Sequence, residues 1–382
     1  MRGRVHPPLF FGLKPVPAKT RQMHLDLLKI AGSQLIVLHH FSAYGPLAQA
    51  MYPLAPDLMD WMYEYARMAV QIFLVMGGYL AVQNLMPVAQ QSRRVLAKTL
   101  IHRYRRLVLP FLAALVLSVL SAALARAVLP DDFIPHAPTL KQALAHALML
   151  QGVTQTEALS AGVWYVAIDF QLFVLLAVVL WVGHRLGRRR TAQAMVLGLM
   201  LASLWLFNLN ARLDNYAIYF FGSYGLGVLA FWASRSRRPG NWLILGAAAG
   251  TLALFINFRE RIAVALLTAL LLCALQLRGA RLPLERHVPD AVRHKIHQWG
   301  QASYALFLVH FPVLMLGNAV FELWLLQQAT PTNAGDAVVQ AAHISMLVLL
   351  ACWGLSMLIA NVFERWVEAP LNRWGYRHQR SA

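Results

Sequence analysis

The stretch RRVLAKTLIHRYRRLVLPFLAALVLSVLSAALARAVLPDD, Arg93 to Asp132, sets the plan of the chain. Its second part, 107–129, is a continuous apolar run, and a helix of about 20 apolar residues crosses the roughly 30 Å hydrocarbon core of a bilayer. A basic block precedes the run, and Pro130, Asp131 and Asp132 close it. The same alternation recurs along all 382 residues. On this length scale about ten spans are expected, at 25–44, 66–86, 107–129, 161–183, 193–208, 216–233, 241–258, 262–277, 302–327 and 338–363. The seventh and eighth, separated only by FRER (258–261), have a re-entrant pair as the alternative.

Composition agrees with that plan. Hydrophobic residues make up 59% of the chain and charged residues only 13%, which excludes an ordinary soluble domain with a charged surface. The net charge of +18 would suit a nucleic-acid partner if it were gathered on one face. Instead Lys and Arg occupy short blocks between apolar runs, at 93–106, 185–190, 234–238, 278–295 and 364–380. That is the positive-inside distribution of a membrane protein, so no nucleic-acid partner is expected.

Threading the spans with these blocks on the cytoplasmic side places both termini there. The expectation is an all-α polytopic helix bundle in the cell inner (cytoplasmic) membrane, with tails at 1–24 and 364–382 around a transmembrane domain at 25–363. The N-terminal tail is basic and proline-broken and lacks the apolar core of a secretory signal. Trp61, Tyr65 and Trp366 stand near span ends, as in an interfacial belt. Cys273 and Cys352 lie inside apolar runs and read as small core residues, offering neither a disulfide framework nor a metal site. The sequence contains no His-Glu-x-x-His, Gly-x-Ser-x-Gly or Walker A pattern, which argues against a metal site, an integral hydrolase and an ATP-driven pump.

Polar residues inside the spans carry the chemistry. LDLLKIAGSQLIVLHHF (25–41) holds Asp26 and Lys29 at its start and His39 and His40 near its end, although charge at bilayer depth is costly. On a helix, Lys29 and His40 share a face about 16 Å apart along the axis, with Asp26 beside Lys29. His39 is turned about 100° away and reads as a packing neighbour. Gln71 precedes a Gly77–Tyr79 stretch whose small residues allow close helix approach. Asp169 and Gln171 lie in WYVAIDFQLF (164–173), and Ser303, Tyr304 and His310 in SYALFLVHFPV (303–313). Several helices each contribute one or two polar groups, which is how an interior site is built in a membrane bundle. A histidine there can take a proton from a hydroxyl and return it to a leaving group.

At these residues the sequence resembles the acyltransferase 3 family of bacterial integral-membrane acyltransferases. DLLKIAGSQLIVLHHF is similar to the family's Asp-x-Leu-Arg stretch with a His eleven residues after the Arg, which puts Lys29 in the Arg place and His40 in the His place. IFLVMGGYL (72–80), RYRRLVLP (103–110), WYVAIDFQLF, SYALFLVHFPV and the closing ERWVEAP (364–370) resemble further family segments in order. The resemblance implies a ten-helix bundle that moves an acyl group, acetyl by default, from cytoplasmic acyl-CoA as co-substrate to a hydroxyl of an envelope carbohydrate. It implies His40 as catalytic base, with Asp26 placed in the same catalytic set. Lys29, Arg103 and Arg106 are the implied donor-phosphate contacts, while Asp169, Gln71, Tyr304 and His310 are expected to line the site. No permanently bound cofactor is expected, and a separate periplasmic partner protein is a possible participant. Departures from the family pattern are Lys29 for Arg, Gly77 for Ser, Asp169 for Glu, Phe307 for Tyr, and Arg106 four rather than three residues before Pro110. Glu368 is expected to form an ion pair in the basic tail. The alternatives are a secondary transporter or flippase for a glycan or lipid-linked precursor, disfavoured by the lack of a repeated half, and a catalytically silent membrane scaffold.

Overall fold

The computed structural model describes residues 23–129, 133–187, 189–277, 288–328 and 334–372, and all regular structure among them is helical. The tail expected over 1–24 lies outside these residues except for Met23 and His24, as do 130–132, most of the basic block at 278–295, and 373–382.

Nine helical stretches among the described residues are long and apolar enough to cross a membrane. They are 56–88, which joins α3 (Pro56–Glu64) to α4 (Ala69–Val88), then α5 (Arg93–Ala125), α7 (Val163–Arg185), α8 (Arg189–Trp205), α9 (Ala217–Arg235), α10 (Pro239–Ile256), α11 (Glu260–Leu277), α12 (Asp290–Gln327) and α13 (Ala334–Phe363). The tenth expected span is α1 (Met23–Ala43), a helix of 21 residues that is long enough. Its apolarity is diluted by Asp26, Lys29, Gln34, His39 and His40. The seventh and eighth spans are two separate helices of 18 residues each, α10 and α11. Residues 364–372, the first part of the expected C-terminal tail, are helical. Glu364–Glu368 form a π-helical turn, and the helix runs on to Asn372. A widened turn adds one residue to the hydrogen-bonded ring without ending the helix.

Helices also begin earlier than the apolar runs do. α5 starts 14 residues before Leu107 and α12 starts 12 before Ala302, because charged residues such as Lys and Arg are good helix formers and only loss of backbone pairing ends a helix.

The described residues fall into two compact units. The first contains Gln71–Leu100 and Gln171–Pro289; the second contains Leu25–Val70, Ile101–Phe170 and the chain from Asp290 onward. Lipid tails are as apolar as leucine, so cohesion within each unit comes from close packing and hydrogen bonds. In the first unit α9 is the central helix, buried along nearly its whole length and packed by α8, α10 and α11. A Cβ on Gly227 would collide with the Val75 carbonyl of α4, and one on Gly78 with the Tyr224 carbonyl of α9. These two glycines let the backbones of α4 and α9 touch, the role expected of the Gly77–Tyr79 stretch. Arg259, in the link between α10 and α11, is buried and donates to Asn208 Oδ1, Leu204 O and Ala253 O at 2.8, 3.1 and 3.1 Å.

In the second unit α12 lies along α13, and a short helix after α1, α2 (Gly45–Met51), tucks against both. The Leu47 N–H donates to Asn318 Oδ1 at 2.9 Å, and Ser345 Oγ donates to the Leu47 carbonyl at 2.6 Å. α1 meets α12 at Gly300, where a side chain would strike Asp26.

Candidate active site

The polar face of α1 is a real feature of the second unit, but it carries two separate groupings. At its N-terminal end, Asp26 Oδ1 accepts from Lys29 Nζ at 2.9 Å, and Oδ2 accepts from His297 Nδ1 of α12 at 2.9 Å. Asp26 is buried, and an acid in the first turn of a helix is favoured by the helix dipole. His40 follows 14 residues later, about 21 Å along the axis. Asp26 is therefore not a partner of the His40 ring; it orients Lys29 and His297.

Near the other end of α1, His40 Nδ1 stands 2.6 Å from Nε2 of His310 on α12, with ring planes 9° apart. Both rings are buried, His40 at 6% and His310 at 0% exposure. His310 Nδ1 donates to the Leu306 carbonyl at 2.9 Å. Among the described residues His310 is the one hydrogen-bond partner of the His40 ring, so His40 Nε2 is uncommitted. Around the pair stand Tyr44 and Phe311, with ring centroids 5.6 and 6.1 Å from His40, and Phe133 packs on both. His39 faces Tyr63 instead, at 6.0 Å.

Residues 133–162, between α5 and α7, are held by specific bonds and bring Gly162 to the histidine pair. Thr139 and Gln142 make a capping box at the start of α6 (Leu140–Ala147), each side chain bonding the other's backbone N–H. His146 is fully buried, donates from Nδ1 to the Gln142 carbonyl at 2.8 Å, and accepts the Leu159 N–H on Nε2 at 3.2 Å. Ser118 Oγ donates to Ser160 Oγ at 3.1 Å, and Arg126 donates to the Pro135 carbonyl. These bonds deliver Gly162, at φ +78°, beside the histidine pair. A Cβ there would lie 3.2 Å from Phe307 Cζ and 3.4 Å from His40 Cε1, so glycine serves both the backbone conformation and the approach to the imidazole. The Thr-x-x-Gln spacing at 139–142 was the available sequence signal for this segment; Gly162, His146 and Ser160 had none.

The remaining expected residues distribute as follows. Arg103 Nη2 and Asp169 Oδ2 form an ion pair at 2.5 Å, with Asp169 buried. Arg106 is exposed. Tyr304, two turns before His310 on α12, donates to the Leu107 carbonyl at 3.0 Å and feels the charges of Glu368, Asp169, Arg103 and Arg106. Glu368 makes no ion pair among the described residues; its Oε2 is buried without a hydrogen-bond partner, and Arg106, Glu364 and Lys29 are its charged neighbours. Residues 373–382 of the basic tail, with which its ion pair is expected, lie outside the described residues. Gln71 belongs to the first unit, where its Oε1 accepts from Ser223 Oγ at 2.7 Å. The second unit therefore holds His40, His310, Asp169, Tyr304, Lys29, Arg103 and Arg106, in a histidine grouping and a charged grouping. No cluster of metal-ligating side chains occurs among the described residues.

Nine long apolar helices define a multi-pass membrane protein, and its second unit holds a buried, hydrogen-bonded histidine pair and a separate set of charged groups. The family model described as Acyltransferase domain matches residues 24–360, nearly the whole chain, and the chain belongs to that family. It is a membrane enzyme that transfers acyl groups, which sets the transporter alternative aside. Neither the curated proteins nor the solved structures contain a match to the chain.

Proposed function

We propose that this acyltransferase takes acetyl from acetyl-CoA on the cytoplasmic side of a bacterial inner membrane and passes it to a hydroxyl of an extracytoplasmic carbohydrate, with His40 as general base. The observation that carries the reading is the buried His40 ring at the C-terminal part of α1, bonded through Nδ1 and open at Nε2. Lys29 lies about 16 Å away along the same helix face, a separation suited to an extended pantetheine arm whose phosphates stay near the basic groups. Exposed Arg106 is the phosphate contact with the fewest competing demands, since Lys29 and Arg103 already hold carboxylates.

In the reaction, Nε2 accepts the proton of the acceptor hydroxyl as its oxygen attacks the thioester carbonyl. Collapse of the tetrahedral intermediate breaks the carbon–sulfur bond, and the imidazolium returns the proton to the departing thiolate. A positioned general base contributes about 10² to 10⁴-fold. Exclusion of water by the aromatic surround protects the thioester from hydrolysis. The Tyr44, Phe133 and Phe311 rings offer apolar faces that suit the C–H faces of a sugar.

Transfer of labelled acetyl from acetyl-CoA into envelope carbohydrate by membranes holding the protein tests this reading. Label is expected with wild type and His39→Ala and lost with a stably inserted His40→Ala variant. Equal labelling with wild type, His40→Ala and empty membranes would overturn it.

A further inference from the structure

His310 is the most deeply buried histidine of the pair, and both of its ring nitrogens are engaged. Nδ1 lies 2.9 Å from the Leu306 carbonyl oxygen, which can only accept, so Nδ1 carries a hydrogen. In the neutral ring Nε2 is then a bare lone pair. The single proton in the 2.6 Å contact has to come from His40 Nδ1. The opposite assignment turns His310 into an imidazolium beside a backbone carbonyl rather than a carboxylate, a buried charge with no counter-ion to offset its desolvation.

We infer that His310 is a positioning residue that locks His40 in its Nδ1–H tautomer and so keeps the basic lone pair on Nε2. The chain of bonds runs from the Leu306 carbonyl through His310 to His40, and each link sets the proton position of the next. The α12 backbone thus decides which His40 nitrogen is basic. When Nε2 gains a proton, the His40–His310 hydrogen bond becomes charge-assisted and strengthens. His310 takes the orienting place that a carboxylate holds in many base-and-orienter pairs, without bringing a second charge into the membrane. Free imidazole favours the other tautomer, with hydrogen on Nε2, which has no lone pair there to offer. The catalytic consequence rests on the reading of His40 as base; the tautomer itself does not.

The experiment is nitrogen-15 NMR of the full chain in bilayers with labelled histidine. The chain holds 14 histidines, and the His40 signals are assigned by their loss in His40→Gln. The comparison uses wild type, His310→Met and His310→Gln, because glutamine can place an acceptor oxygen near the Nε2 position and methionine cannot. Wild type and His310→Gln are expected to show His40 protonated on Nδ1 and bare on Nε2, while His310→Met moves the proton to Nε2 in part or in full. Acyl transfer in kcat should fall for His310→Met by the factor by which its Nδ1–H population falls, reaching about 100-fold, the scale of a lost general base, when the shift is complete, with the KM for acyl-CoA unchanged, and should stay close to wild type for His310→Gln. Wild-type His40 protonated on Nε2, or a tautomer that does not change in His310→Met, would overturn the inference. A tautomer that shifts as expected, together with full transfer by His40→Ala, would leave the lock standing and defeat the base assignment instead.

Discussion

Two adjacent histidines show how much one residue step decides inside a helix. His40 meets His310 and the aromatic collar, whereas His39, about 100° around α1, turns to Tyr63. The arginines of α5 divide in a similar way. Arg103 is committed to Asp169 at 2.5 Å, and Arg106, one turn away, is exposed. The two positions should therefore fail differently. Asp169→Ala removes the carboxylate paired with a partly buried guanidinium and is expected to lower stability, read as a fall in Tm in detergent. Arg106→Ala should leave Tm in place and raise the KM for acyl-CoA, by about tenfold for the loss of one charge-assisted bond of roughly 1.5 kcal/mol. An unchanged KM in Arg106→Ala would remove it from the donor site.

At the scale of elements, the segment from Phe133 to Gly162 is held by specific bonds. Its hinge point is His146, whose neutral ring donates to Gln142 and accepts from Leu159. Burial lowers the His146 pKa below its ordinary value near 6.5, partly opposed by the Gln142 bond. The sign follows from proton counting: between the lowered value and 6.5 the unfolded chain binds a proton that folded His146 does not, so stability falls as pH falls. Protonation of Nε2 also removes the acceptor for the Leu159 N–H. The hydrogen-exchange protection of residues 148–162, taken relative to the intrinsic rate at each pH, should fall on going from pH 7.5 to below 6.5, and the fall should be largely lost in His146→Gln, which keeps an acceptor and cannot titrate. Equal pH dependence in the variant would place the titrating group elsewhere.

For the whole molecule, nine helical stretches among the described residues are long and apolar enough to cross a membrane; counting the 21-residue α1 as a tenth predicts that the chain returns to the face where it began. α9, with 19 residues, separates the basic link at 236–238 from the link at 206–216 by a helix about 28 Å long. Positive-inside placement assigns Arg237 to the cytoplasm and Asp214 to the opposite face. Both residues are exposed, and the native Cys273 and Cys352 are buried, so background labelling is low. A membrane-impermeant maleimide should label Asp214→Cys in intact spheroplasts and Arg237→Cys only after permeabilisation. The reverse pattern would invert the topology and with it the side from which the donor enters.

The sequence alone determined the membrane character and the all-helical architecture, and it put His39 and His40 on different faces of α1, because apolar length, charge placement and helical phase are local properties of the chain. Asp169 in an apolar run already implied a partner, and Arg103 supplied it. Tertiary structure alone decided that Asp26 is held by Lys29 and His297 at a distance from the histidine pair, that Gln71 bonds Ser223, and that the Glu368 Oε2 is buried without a hydrogen-bond partner. It also brought Gly162 against His40 and set His310 on His40 Nδ1. These are contacts between residues as many as 271 positions apart, and their existence depends on how helices rotate and slide against one another, which helical periodicity within one segment does not specify.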